Sequence, residues 1–252
     1  VGDIAVEPGG IPVDTLKWVW AVAPLSMWLG RTALGQATGF FWSKDSRLFL
    51  ITNRHVVVDE KQDYYPDRIQ FRVDRDGASG SPLWVQEPLY QGDGKPRWKE
   101  LTPDVDIAAI ELDASVRSHR IAALSSDLLA PDDLVMDIGS DASVIGYPLG
   151  FYDDVNNLPI TRDAVVASDY QVPFRNNEYF LIDARLHRGT SGSPVILKPT
   201  YTLRYRDGSL HLHTDMPHTY FLGIHSGEWQ QNGEPLGLSA VWYRRLLEKL
   251  IQ

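Results

Sequence analysis

Residues 18–23, 39–42, 48–52, 69–73, 107–112, 143–146, 179–184 and 194–197 are short runs rich in β-branched and aromatic side chains, each bounded by turn signals. Asp76-Gly77, Gly80, Gly92, Gly94 and Pro103 punctuate the intervals, and nothing between the runs provides three clean turns of amphipathic helix. Short strands at this spacing pack as barrels or sandwiches, so an all-β fold is expected. One helix is expected at the end. Val241, Leu246, Leu247, Leu250 and Ile251 fall at roughly three- and four-residue intervals among Arg244, Arg245, Glu248 and Lys249. Thr202 to His213 alternates on either side of Asp207-Gly208, a pair suited to a tight turn, so 200–222 is expected as a long hairpin. Residues 86–103, with their glycines and prolines, read as a surface excursion.

A chain of 252 residues that is 43% hydrophobic can bury a core without a disulfide or metal staple, and it has no cysteine. The absence of cysteine removes thiol nucleophiles, thiolate zinc sites and iron–sulfur clusters, and leaves the compartment open. The 24 basic residues lie scattered against 33 acidic ones, for a net charge of −9, so nucleic acid is not an expected partner. No window of eighteen uninterrupted apolar residues exists, and the apolar stretch 18–29 is broken by Pro24 and Ser26, so no membrane span is expected. The opening 1–12 carries acids, glycines and prolines where a signal peptide has a basic start and an apolar middle; the true start of the protein stays open.

Three segments carry chemistry: Leu50-Ile-Thr-Asn-Arg-His55-Val-Val, Asp104-Val-Asp106-Ile-Ala, and Gly189-Thr190-Ser191-Gly192-Ser193-Pro194. A serine hydroxyl is a weak nucleophile until an imidazole takes its proton, and that imidazole needs a carboxylate to fix its tautomer and stabilise its charged form. Ser191, His55 and Asp106 are the candidates. The glycines flanking Ser191 permit a tight loop, Gly189 to Ser191 through Thr190, whose Gly189 and Ser191 N–H groups can converge on a developing oxyanion. Alternative roles exist for each residue alone: a turn serine, a core histidine, a strand-start cap. An α/β-hydrolase elbow would need glycine at Ser193 and a helix after it, whereas Pro194-Val-Ile-Leu reads as a strand.

From Gly39 to Ile251 these segments, with Ile145-Gly-Tyr-Pro-Leu-Gly150 and Leu222-Gly-Ile-His225, resemble the chymotrypsin-fold serine proteases, most closely the HtrA-type proteases and the glutamyl endopeptidases. The order His, Asp, Ser is theirs, with separations of 51 and 85 residues. The resemblance implies two six-stranded antiparallel β-barrels with a C-terminal α-helix. It makes 1–252 one peptidase domain, with an N-terminal barrel over 13–125 carrying His55 and Asp106, a C-terminal barrel over 126–240 carrying Ser191, and a helix over 241–252. It implies a peptide or protein substrate and no cofactor. Its specificity pocket maps to Arg185, Leu186, Ile224, His225, Ser226, Gly227, Glu228 and Ser239, with Ser226 also placed to hydrogen-bond Asp106.

Two pocket readings stay open. His225 matches the histidine by which glutamyl endopeptidases hold an acidic side chain, and Arg185 would assist it; Leu186 and Glu228 argue instead for an apolar or uncharged one. Thr190 stands where trypsin-like zymogens carry aspartate, so activation by a new amino terminus is not expected, and Val1-Gly2 is not read as such an end. The domain that HtrA-type chains usually append is not expected after Gln252. Two readings of activity also stay open: a working endopeptidase, or a protease-like binding module or latent enzyme that awaits a regulatory protein at 200–222 or 86–103. His211, His213 and His218 with Asp215 suggest a metal site only weakly, because no further ligand completes a set, and none is expected. His119 and His187 receive no role, and Trp18, Trp20, Trp28 and Trp42 are expected to fill the first barrel.

Overall fold

A computed structural model describes residues 13–73, 83–113, 116, 121–212 and 214–252. Asp76-Gly77, Gly80, His119, His213 and the first twelve positions lie outside the described residues. The fold is mostly β. In the first half, β1 (Val22–Leu29), β2 (Thr32–Lys44), β3 (Arg47–Thr52), β4 (Arg68–Val73), β5 (Leu83–Pro88), β6 (Trp98–Lys99) and β7 (Ala108–Glu111) form one antiparallel sheet in the order β5-β4-β1-β2-β3-β7-β6. In the second half, β8 (Asp141–Gly146), β9 (Ile160–Val166), β10 (Tyr179–Asp183), β11 (Pro194–Leu197), β14 (Phe221–Gln231) and β15 (Glu234–Tyr243) close into a barrel in the order β10-β15-β14-β11-β8-β9. Between β11 and β14, β12 (Thr202–Arg204) and β13 (Leu210–Leu212) pair as a separate short hairpin around the expected Asp207-Gly208 turn, with Gly208 at φ +86°.

The expectation of two six-stranded barrels therefore needs one correction. Among the described residues the first sheet has seven strands and is a curled half-barrel whose edges do not pair. Its edge strand β6 is only two residues long, and β5 pairs with β4 alone, so no ladder joins the two ends.

Burial explains why the central runs read as apolar without alternation. Phe41, Leu50, Phe71 and Ile110 pack inside the first sheet, while their chain neighbours Phe40, Trp42, Phe49 and Ile51 pack into the core shared with the second barrel. Side chains alternate across a strand, and here both faces are covered. The shared core gathers Phe40, Trp42 and Phe221, with ring centroids 5.4–6.4 Å apart, together with Ile145, Ile224 and Trp242. Trp18 and Trp42 thus seal the junction of the halves rather than filling the first barrel.

Two expectations about helices change. Residues 18–23 are not a strand throughout: α1 (Val13–Trp20) continues to Trp20 and the chain enters β1 at Val22. A six-residue aromatic-rich run has too few residues to separate the two periods. At the other end, Val241 still pairs in β15 and the helix proper follows at Arg244–Leu250, where Leu246, Leu247 and Leu250 join the shared core. No described helix is long and apolar enough to cross a membrane.

Candidate active site

β3 delivers the chain into the shared core and then into α2 (Arg54–Val57), a single turn that presents His55. Asp106 sits just before β7, the strand next to β3, so adjacent strands bring the two residues together. Its carboxylate holds His55 twice: Oδ1 accepts the His55 backbone N–H at 2.8 Å, and Oδ2 faces the ring Nδ1 at 2.7 Å. Ser226, on β14 of the second barrel, donates its hydroxyl to the same Oδ2 at 2.5 Å, and Asn53 Nδ2 donates to the Asp106 backbone carbonyl at 2.8 Å. Because a carboxylate only accepts, the Nδ1 carries the ring proton and leaves Nε2 with a lone pair.

Burial works against charge at both groups, but the pair overrides it. Burial alone lowers the His55 pKa, yet the hydrogen bond and charge of Asp106 raise it above the ordinary imidazole value. Burial likewise raises Asp106, and the His55 ring, the Ser226 hydroxyl and the His55 N–H together hold it below the usual carboxylate range.

Ser191 lies on the loop between β10 and β11. Gly189 and Gly192 have φ of +94° and +84°, and neither can carry a side chain. A Cβ at Gly192 would stand 2.2 Å from the Thr38 carbonyl oxygen, and one at Gly189 would stand 2.5 Å from that of Tyr147. The loop is tied down by uncharged bonds. Thr38 Oγ1 donates to the Gly189 carbonyl at 2.7 Å, Thr38 N–H donates to the Ser191 carbonyl at 2.9 Å, and Leu149 N–H donates to the Arg188 carbonyl at 2.6 Å. His225 Nδ1–H donates to the Thr190 carbonyl at 2.9 Å, and the His225 carbonyl accepts the Gly192 N–H at 3.0 Å.

The N–H groups of Gly189 and Ser191 donate to nothing among the described residues, whereas Thr190 N–H donates to the His187 carbonyl at 3.2 Å. Thr190 therefore leaves the expected oxyanion group, since its donor is already used; its hydroxyl also donates to His187, at 2.7 Å. The Ser191 hydroxyl donates to the Ser226 carbonyl at 3.0 Å and makes no hydrogen bond to His55.

Beside Ser191 opens a pocket of about 210 Å³ lined by Leu186, His225, Ser226, Gly227, Glu228 and Ser239, with Ala184, His187, Arg188 and Thr190 completing its wall. Ile224 and Arg185, expected there, do not line it. Ile224 points into the shared core, fully buried, because its neighbour His225 takes the opposite face of β14; the Arg185 side chain is exposed to solvent. His225 is 3% exposed, its Nε2 has no hydrogen-bond partner among the described residues, and burial lowers its pKa to about 4. No group of three or more metal-ligating side chains occurs among the described residues.

Thr38 escaped the sequence reading. Its only signal is a hydroxyl in a strand segment, 37–41, whose other members are small or apolar, and it is fully buried.

The sequence matches the trypsin-like peptidase domain over residues 37–199, more than half its length. The chain belongs to the trypsin-like peptidase family. Solved structures similar to this peptidase domain agree with it in fold. They include the HtrA-type protease AlgW with a tripeptide (18% identity, TM-score 0.57, covering 94% of this chain and 61% of that one). A serine endoprotease from Yersinia pestis matches at 15% identity and TM-score 0.54, over 96% of this chain and 66% of its own. A protease from M. tuberculosis in its active form matches at 18% identity and TM-score 0.53, over 100% and 92%. The peptidase chain thus spans about three fifths of the length of AlgW. Curated protein sequences give no match.

Proposed function

We propose that the chain is a serine endopeptidase. Ser191 Oγ attacks the peptide carbonyl carbon while His55 Nε2 takes its proton; the carbonyl oxygen gains negative charge and accepts the idle N–H groups of Gly189 and Ser191. His55 then returns the proton to the departing amine as the C–N bond breaks; water, deprotonated by the same imidazole, attacks the acyl carbon, and His55 gives that proton back to Ser191 Oγ as the ester bond breaks and the acid leaves. Asp106 stabilises the imidazolium without taking its proton. The observation that carries the reading is the double grip of Asp106 on His55, at Nδ1 and at the backbone N–H, beside a serine loop with two unused donors. Peptides as substrates accord with the tripeptide found with AlgW. A fluorophosphonate probe should label the parent chain at Ser191 and leave Ser191→Ala unlabelled, and the parent alone should cleave casein; equal labelling or equal cleavage by the two overturns the reading.

One observation favours a second reading, a site completed on binding. The Ser191 hydroxyl donates to the Ser226 carbonyl and not to His55, so a ligand N–H that claims that carbonyl frees the hydroxyl to turn toward Nε2. Labelling that is slow in the free chain and accelerates with a bound peptide supports this latent form; a rate independent of peptide removes it.

A further inference from the structure

We propose that the cleft selects acidic peptide segments whose carboxylates are held at its exposed rim, by the guanidinium groups of Arg162, Arg185 and Arg188, with an uncharged side chain in the pocket interior. The proposal rests on the peptidase reading above and names the substrate class of the same site.

In a chain of net charge −9, arginines have acids within reach, and half of the described ones use them. Arg47, Arg54, Arg68, Arg97, Arg204, Arg244 and Arg245 each lie within 4.0 Å of a carboxylate. Arg162, Arg185 and Arg188 have no carboxylate partner among the described residues. Arg162 is also tied to the segment that carries the other two. Arg162 reaches from β9 to donate Nε and Nη2 to the Arg185 carbonyl, at 3.1 and 2.9 Å, which sets its charge against the start of the segment 185–188. That segment continues as Leu186, His187 and Arg188 along the pocket wall beside Ser191, and Arg185 and Arg188 are exposed. Arg162 thus brings its charge to the segment that carries Arg185 and Arg188, none of the three has a carboxylate partner among the described residues, and a ligand that supplies carboxylates adds the missing counter-charge. The Glu228 side chain stands on the pocket lining, and the exposed Asp183 ends β10; neither pairs with the three arginines.

The interior is built for a different group. His225 commits its Nδ1–H to the Thr190 carbonyl, so the neutral ring offers only a lone pair at Nε2. The other side chains deep in the pocket, those of Ala184, Leu186 and Ser239, carry no positive charge. A carboxylate placed beside those side chains loses water without gaining a cation from them, whereas an amide or hydroxyl brings the donor that Nε2 lacks.

The test uses the full chain carrying Ser191→Ala, so that binding is read whether or not the parent cleaves. Fluorescein-labelled peptides share a central Gln and differ only in flanking Asp, Ser or Lys; a fourth has Asp flanks and a central Glu. The expected result is binding about tenfold tighter with Asp flanks than with Ser flanks, and weakest with Lys. The preference shrinks as ionic strength rises from about 0.1 M to about 1 M, where screening shortens from about 10 Å to about 3 Å. It collapses in Arg185→Gln/Arg188→Gln, whose folding is checked by thermal unfolding, and central Glu binds less well than Gln. Equal binding with Asp and Ser flanks, a preference that survives in the double variant, or a gain from central Glu overturns the proposal. Absence of fluorophosphonate labelling in the parent strikes the peptidase reading instead and leaves this binding result to be judged separately.

Discussion

Thr38 and Gly189, 151 positions apart, are joined by a buried hydrogen bond in which the Thr38 hydroxyl donates to the Gly189 carbonyl at 2.7 Å. The same oxygen accepts the Tyr147 N–H at 3.0 Å, and Thr52 Oγ1 donates to the Thr38 carbonyl at 2.9 Å. One residue of the first sheet therefore sets the Gly189–Thr190 peptide of the second barrel and, with it, the loop carrying the unused N–H groups. Thr38→Val keeps the shape and strands two buried polar groups, so it should lower stability by about 2 kcal/mol or more in urea unfolding. It should also reduce kcat with little change in KM, because the donors act on the developing oxyanion and not on bound substrate. Thr38→Ser should restore both.

The raised pKa of His55 predicts the acid side of the activity profile. Protonated His55 cannot accept the Ser191 proton, so kcat/KM should fall as pH drops through a value above the ordinary 6.5. Asp106→Asn removes the cause of the elevation and the anchor of the tautomer, and should lower kcat by about four orders of magnitude. Amidolysis measured between pH 5 and 9 checks both expectations; a limb at or below the ordinary imidazole value contradicts the first.

His225 predicts a loss of stability in acid. Its pKa in the folded chain is lowered to about 4 by burial, so folding favours the neutral ring. The contribution is fully present above the unfolded value near 6.5 and is lost as pH falls from there through about 4, amounting to about 3 kcal/mol. The lowered carboxyl of Asp106 acts in the same direction at still lower pH. Urea midpoints should decline over this window in the parent and decline less in His225→Phe.

Gly192→Ala should damage the fold at the site more than an exposed glycine substitution does. The position has φ +84°, and the new Cβ would meet the Thr38 carbonyl oxygen at 2.2 Å and Thr52 Oγ1 at 2.5 Å. Strain and collision together should destabilise by about 2 kcal/mol or more. Gly208→Ala, at φ +86° with nothing within 4 Å, carries only the conformational part and is the control.

Much of the β framework was legible because its central strands are covered on both faces. Runs 48–52, 143–146 and 194–197 all fall within observed strands for that reason. β9 was not legible: exposed residues alternate with half-buried ones and then with the buried Ala164 and Val166, and Arg162 and Asp163 stand in the middle of a strand whose partners, β8 and β10, lie elsewhere in the chain. β1 was hidden by Pro24, which pairs with Thr38 inside the sheet. In the candidate site, His55, Asp106 and Ser191 were marked out by their flanking segments, because a histidine after an apolar strand and a serine between glycines need particular neighbours, and the structure brings His55 and Asp106 together. The removal of Thr190 as a donor, and of Ile224 and Arg185 from the pocket lining, came from hydrogen-bond and facing information that no local pattern contains.

The amino-acid order by itself determined the all-β character, the turn glycines and the chemical types at the cleft, since periodicity, backbone freedom and side-chain functional groups are local properties. Only the tertiary structure decided that Asp106 grips His55 at two atoms, that Thr38 holds the loop of Ser191, and that three arginines near the pocket have no carboxylate partner among the described residues. Each of those depends on distances between segments tens to more than a hundred residues apart, and such distances are fixed by packing of the shared core.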